Sequence, residues 1–206
     1  MKQLSFVFFA LLLSTILNAQ EIEVKAKKRQ IGISYMSLGT NGMYTTNTMI
    51  GGPSINAENF FGFGAHYIRE LNKTFDLELG LEYMQHKFSV GTDYQLSEGA
   101  VFPGGVYREE KVSLVNIPIT VRANFLNYFF VNGGPILDFD YGLDNTFDNQ
   151  NGVGLLLGAG VNYEFNNGLS LFLNPNLKMH SLMPFDDGKD RISESSLRIG
   201  VSYSLR

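Results

Sequence analysis

KVSLVNIPITVRANFLNYFFVNGGPILDFDY, running from Lys111 to Tyr141, is the stretch whose reading decides the fold. It reads as two strands joined by a tight turn. In the first strand Ser113, Val115, Ile117, Ile119, Val121, Ala123 and Phe125 share a face, opposite Leu114, Asn116, Thr120, Arg122 and Asn124. In the second, Phe129, Val131, Leu137, Phe139 and Tyr141 oppose Asn132, Gly134, Asp138 and Asp140. Side chains alternate along a strand with period two. Each strand therefore has one apolar side and one side carrying polar groups and charge, as suits a strand between lipid and a polar lumen.

The same theme repeats on both sides of this pair. Strands are expected over about 30–38, 60–70, 75–90, 153–165, 169–179 and 195–205. The third has the clearest alternation: Phe75, Leu77, Leu79, Leu81 and Tyr83 against Asp76, Glu78, Gly80 and Glu82. No stretch after the first 29 residues shows a helical period. Connections alternate in length. Leu71–Thr74, Leu126–Asn127 and Asn166–Gly168 are short turns of hairpin chemistry. Long loops are expected over 39–59, 91–110, 142–152 and 180–194. Eight strands in this order form an all-β, eight-stranded antiparallel up-and-down transmembrane β-barrel, with both termini on the short-turn side.

A soluble, lipocalin-like barrel is the competing architecture, but its apolar face points inward. Here the glycines and charges share the face opposite the bulky apolar residues. A narrow lumen needs small residues and lipid needs bulky ones. The mean hydropathy of −0.03 is no objection, because alternation averages the apolar face away. Tyr35, Phe61, Tyr67, Phe75, Tyr83, Phe125, Phe129, Tyr141, Tyr163, Phe165 and Tyr203 fall on the outward face or near strand ends, where interfacial girdles place rings. Pro118, Pro135 and Pro175 fall inside strands and remove ladder donors. Bulges or locally broken pairing are expected there, with Gly133 and Gly134 helping the chain bend.

Met1–Ala19, MKQLSFVFFALLLSTILNA, has a basic start, an apolar run and a small residue at its end, the layout of a secretory signal peptide. The run is short for a spanning helix, which needs about 20 residues. The domain plan is a signal peptide over 1–19, a short periplasmic lead-in over 20–29 and the barrel over 30–206. A formal net charge of −4 without a long basic stretch argues against nucleic acid as a partner. With no cysteine there is no disulfide and no thiolate chemistry, so an exported chain needs another source of stability.

The segments VNIPITVRANF and YFFVNGGPILDFDY resemble the outer-membrane β-barrel domain of Bacteroidota, the family of PorT-like and OmpX-like small barrels. Ile117-Pro118 before an apolar strand and Gly133-Gly134-Pro135 in the next one carry the resemblance, together with the leader ending Asn18-Ala19-Gln20. It implies a Gram-negative outer-membrane location and a secretion-related accessory role. The chain ends Ser204-Leu205-Arg206, without the terminal Phe common in enterobacterial barrels.

Three groups of residues are candidates for function. Glu78, Glu82, Asp138 and Glu164 with Arg122 and Arg198, and His66 nearby, form a lumen charge network. An eight-stranded barrel is just wide enough for side chains to fill, and buried charges must pair. The network therefore reads as an ionic plug, against the alternative of a proton path, small-ion path or gate. His66, His86 and His180, with Ser89 and Ser181, admit a lipid-active hydrolase, but no nucleophile motif accompanies them. Among the loops, Tyr94, Phe102 and Tyr107 with Gly104-Gly105 make the second long loop the preferred binding surface. Asp144, Asp148, Asn149, Asp186, Asp187 and Asp190 lack EF-hand spacing and read as solvated turns.

The expectation is a monomeric, non-enzymatic outer-membrane scaffold or accessory with no cofactor and no metal. Its partners would be outer-membrane lipid and an envelope or secretion protein or surface ligand held by its loops. A small-solute porin and, behind it, a hydrolase are the alternatives.

Overall fold

The computed structural model describes residues 28–45, 54–91, 107–142, 147–188 and 190–205. Eight strands follow one another: β1 Arg29–Thr45, β2 Ser54–Glu70, β3 Phe75–Gly91, β4 Tyr107–Phe125, β5 Phe129–Asp140, β6 Gly152–Glu164, β7 Leu169–Pro184 and β8 Asp190–Leu205. Each pairs antiparallel with its neighbour in sequence, and β1 pairs with β8 from Arg29–Leu205 to Thr45–Asp190, closing the barrel. The signal-peptide segment, Tyr94, Phe102 and Asp144 lie outside the described residues.

The alternation places the bulky apolar set outside. Ile33 and Leu81 are 64% and 57% exposed, whereas Glu82 and Arg198 on the opposite face are 2% and 3% exposed. Charges inside and leucines outside make this a membrane-spanning barrel, not a lipocalin-like one. The outward aromatic residues form two tiers. Phe75, Phe125, Tyr128, Phe129, Tyr163, Phe165 and Tyr203 ring the short-turn end, and Tyr35, Phe61, Tyr83 and Phe139 lie toward the other. Within the lower tier Phe125 stacks on Phe129 at 6.0 Å and Tyr163 meets Phe165 edge-on at 4.9 Å.

Short turns are built as their residues dictate. Asn72 Oδ1 accepts from the backbone N–H of Thr74 and Phe75, both at 2.9 Å. Leu126 and Asn127 adopt left-handed φ values of 49° and 63°, which the tight β4–β5 turn requires. Gly168, at φ 85°, closes the β6–β7 turn where a side chain would be strained.

The strands outrun the sequence pattern at the long-loop end. β1 and β2 take up 39–45 and 54–59 of the expected first loop, β7 extends to Pro184, and β8 begins at Asp190. The reason lies on the outward face. On β3 it changes from Leu79, Leu81 and Tyr83 to Gln85, Lys87 and Ser89; on the paired β4 it changes from Val115 to Ser113, Lys111 and Glu109. The apolar pattern stops where lipid stops, but the backbone ladder continues. A 17-residue strand such as β3, at about 3.3 Å per residue and a tilt of about 40°, stands roughly 43 Å tall against an apolar band of about 25 Å. The barrel wall thus projects well beyond the membrane.

The prolines sit in the sheet without bulges. Pairing of β3 with β4 passes from Leu79–Ile119 to Glu82–Asn116 in unchanged register, skipping the rungs beside Pro118. Pairing of β6 with β7 skips those beside Pro175 in the same way. Pro135 stays paired with Leu155. A missing N–H breaks a rung without requiring an extra residue. The register shifts fall elsewhere: between Met36 and Leu38, between Ala57 and Phe60, and opposite the Val153–Leu155 step, where β7 carries extra residues around Ser181. Ser181 has φ 49°.

Leu79 stands near the middle of the apolar band of β3. Leu79→Arg is expected to destabilise the barrel by about 2–4 kcal/mol, read by urea unfolding in lipid vesicles. Ser89→Arg, beyond the band, is expected to change stability by less than about 0.5 kcal/mol.

Candidate functional site

Every second residue of each strand points into a lumen too narrow to hold bulk water beside them. At the short-turn end the filling is aromatic and polar. Phe130 and Phe172 are buried, and Gly160 and Gly200 lie directly beneath their ring edges, where an added Cβ would collide. His66 meets Ser202 Oγ at 2.8 Å and packs edge-on to Phe172 at 5.2 Å. Asn174 Nδ2 donates to Asn132 Oδ1 at 3.1 Å.

Above this layer a column of alternating charge climbs the lumen. Arg122 on β4 donates to Glu78 on β3 at 3.1 Å, and Arg198 on β8 donates to the other oxygen of Glu78 at 2.6 Å. Arg198 lies 3.9 Å from Glu82, which accepts from Lys178 Nζ on β7 at 2.7 Å. Lys178 lies 3.7 Å from Glu194 on β8. Glu194 lies 3.8 Å from His180 on β7, whose Nδ1 is 2.9 Å from Asp138 on β5. All these side chains are at least 97% buried. The two guanidinium groups also lie over rings, Arg122 3.9 Å above Phe130 and Arg198 5.1 Å from Phe172. Five strands contribute to the column, so it ties the wall together from within.

The long-loop end is closed by apolar side chains. Phe60, Phe88, Val112, Phe147 and Ile192 cluster there with Met36, Met84 and Leu114. Phe147 comes from the β5–β6 connection and meets Phe88 edge-on at 5.4 Å. Gln150 pins that connection down: its Nε2 donates to Asp148 O and Asp190 O at 2.8 and 3.0 Å, and its Oε1 accepts from Ile192 N at 3.3 Å.

The sequence-based site residues divide clearly. Glu78, Glu82, Arg122, Asp138 and Arg198 stand in the column, and His66 sits in the layer below. Glu164 does not join them. It lies at the short-turn rim, pairs with Lys28 and accepts from Ser204 Oγ at 3.2 Å. As the last residue of β6 it is past the end of the enclosed lumen. Lys178, Glu194, His86 and His180 were missing from the expected network. Lys178 and His180 continue the inward series Ser170, Phe172, Asn174 and Asn176, a signal available in the sequence. Glu194 fell in an expected loop because β8 runs beyond its apolar pattern.

Among the loop residues Tyr107 starts β4 and is 47% exposed. Among the described residues neither Ser89 nor Ser181 bonds to a histidine. His180 and Asp138 could orient one another, but His180 Nε2 faces Glu194, and Ser181 Oγ donates to Asn151 O at 3.1 Å. Ser89 lies on β3 beyond the apolar band.

Fold and lumen together define a small, eight-stranded membrane-spanning barrel whose interior is plugged by its own side chains. Solved structures with this fold include the outer membrane protein OprG from Pseudomonas aeruginosa, at 11% identity and a TM-score of 0.54, with 88% of this chain and 97% of that one aligned. The outer membrane protein AlkL, solved in DMPC bilayers, aligns at 10% identity and a TM-score of 0.51 over 90% of this chain and 95% of its own. At such identities the likeness is one of fold. No protein-family model matches the chain, and no curated protein matches it in sequence.

Breaking the column from one side leaves buried charges unpaired. Glu78→Gln, which leaves Arg122 without a carboxylate and Arg198 with only the more distant Glu82, is expected to cost about 3–5 kcal/mol in urea unfolding from vesicles. Replacing Glu78 and Arg122 together by Leu and Met is expected to cost less, because one charge of each sign is removed and Arg198 keeps Glu82 at 3.9 Å.

Proposed function

We propose that this chain is a non-enzymatic outer-membrane protein, a scaffold or accessory whose loop-bearing end engages an envelope or secretion protein. The observation that carries the reading is the division of labour along the barrel axis. The lumen is filled at the short-turn end, through the charge column and at the Phe60–Phe88–Phe147 layer, while the wall projects beyond the apolar band. A filled lumen disfavours a pore, and the projecting wall offers a rigid mount for loops. Tyr44 and Tyr107, 64% and 47% exposed near the tips of β1 and β4, suit a protein contact surface. The leader-like Met1–Ala19 segment and the PorT-like segments around Pro118 and Pro135 support export to a Gram-negative outer membrane and a secretion-related task.

Mild-detergent purification from native outer membranes tests this. A stoichiometric envelope partner is expected, and replacement of residues 94–104 by a Gly/Ser linker is expected to abolish its recovery. A barrel recovered alone would count against the accessory role. In planar bilayers the reconstituted protein is expected to show no steady open conductance. A steady open state would favour a small-solute porin instead.

A further inference from the structure

Three side chains at the upper end of the charge column meet one another beyond hydrogen-bond distance. His86 on β3, His180 on β7 and Glu194 on β8 converge with one ligand atom each, all within 4.8 Å of one another. His86 Nε2 is 3.6 Å and His180 Nε2 is 3.8 Å from Glu194 Oε2. All three atoms are buried, and among the described residues none has a hydrogen-bond partner. Other buried polar atoms of the lumen also lack a protein partner, but among the described residues only these place three metal-ligand atoms at one point. Three aimed at one point indicate a shared ligand.

We propose that His86, His180 and Glu194 bind a divalent first-row transition metal inside the lumen. Two imidazole nitrogens and one carboxylate oxygen form a donor set that suits Zn²⁺ and its neighbours. Ligand atoms about 2.1 Å from a tetrahedral Zn²⁺ lie roughly 3.4 Å apart. The two shorter gaps need to close by only a few tenths of an ångström, and small side-chain rotations bring in the third.

The surroundings are those of a metal centre. His180 Nδ1 is held at 2.9 Å by Asp138, whose other oxygen accepts from Ser181 N–H at 2.8 Å. A carboxylate on the far nitrogen fixes the ring and directs the Nε2 lone pair at a metal. His180 points inward by the ordinary alternation of β7, and the bulge buries Ser181 beside it, where its N–H reaches Asp138. His86 Nδ1 lies 3.5 Å from the Asn41 amide, whose oxygen lacks a partner. Turning that amide over lets Nδ1–H donate to the oxygen and leaves Nε2 free to bind.

The column's net charge admits a cation at this point. In the column Glu78, Glu82, Asp138 and Glu194 face Arg122, Arg198 and Lys178, so the carboxylates exceed the fixed cations by one. Above the cluster, Phe60 stacks on His86 at 5.7 Å, screening the site from solvent on that side. A metal there would join β3, β7 and β8 in a chain that has no disulfide.

The test uses the tag-free barrel, refolded into vesicles from metal-free denaturant, with Zn²⁺ and Cu²⁺ as probes. The chain has three histidines in all, and the third, His66, is engaged with Ser202 at the other end of the lumen. Surface imidazole therefore cannot mimic the result. One equivalent of Zn²⁺ is expected to bind and raise the unfolding midpoint, and bound Cu²⁺ is expected to show coupling to two imidazole nitrogens in its electron paramagnetic resonance spectrum. His86→Gln, His180→Gln and Glu194→Gln should each abolish one-equivalent binding. Asp138→Asn, a positioning change, should weaken it 10- to 100-fold. No Zn²⁺ binding by the wild-type barrel would overturn the proposal and leave a proton on His180 as the balancing charge. Binding that survives in the three ligand variants would also overturn it. If a variant does not fold, the wild-type Cu²⁺ spectrum decides: absence of imidazole coupling refutes the site.

Discussion

Arg29 to Thr45 of β1 pairs with Asp190 to Leu205 of β8, and this seam is what the remaining structure depends on. In lipid an unpaired N–H or C=O costs several kcal/mol, so the sheet must return to its first strand. Closing with eight strands fixes a lumen about as wide as the side chains that fill it. From that point each strand has two incompatible duties. Its outward residues must dissolve in hydrocarbon, and its inward residues must satisfy one another without bulk water.

The charge column answers the second duty. Each carboxylate along it is flanked by cations or histidines from other strands, so no single strand carries a neutral interior by itself. Buried pairs of this kind add little net stability over well-packed apolar groups. Glu78 and Glu82 on β3 meet Arg198 and Lys178 across the lumen only with β3, β7 and β8 in the offset seen here. Glycines and rings fill the remaining space below, and the Phe60–Phe88–Phe147 layer closes the top. At that upper end the pairing rule leaves three lone-pair atoms without partners, next to the one bulge that turns two consecutive β7 residues inward. A bulge costs a ladder rung and often re-aims a side chain beside a functional site.

The projecting wall connects fold to function. Strands that continue past the apolar band gain nothing from lipid, yet their ladder persists and holds Gln85, Lys87, Lys111 and Glu109 in water. An extension of this kind fixes the points from which the loops start, and preorganisation of a loop lowers its own ordering cost in any binding event.

Alternation by itself determined the strand number, the up-and-down order, which face meets lipid and which of Glu78, Glu82, Arg122, Asp138 and Arg198 point inward. Those properties are local, since one strand's two faces are written in its own residues. Strand ends were not legible beyond the membrane, because the outward residues of 39–44, 54–59 and 190–194 lie past the lipid and lose the apolar signal while the backbone ladder continues. Glu194 lies in one of those extensions, and Glu164 keeps the inward phase of β6 although it stands past the short-turn end of the lumen. Tertiary structure alone decided which charges meet, that the prolines interrupt rungs without shifting register, and that His86, His180 and Glu194 converge from three strands. Register and bulge position set those meetings, and they arise from pairing between strands distant in sequence.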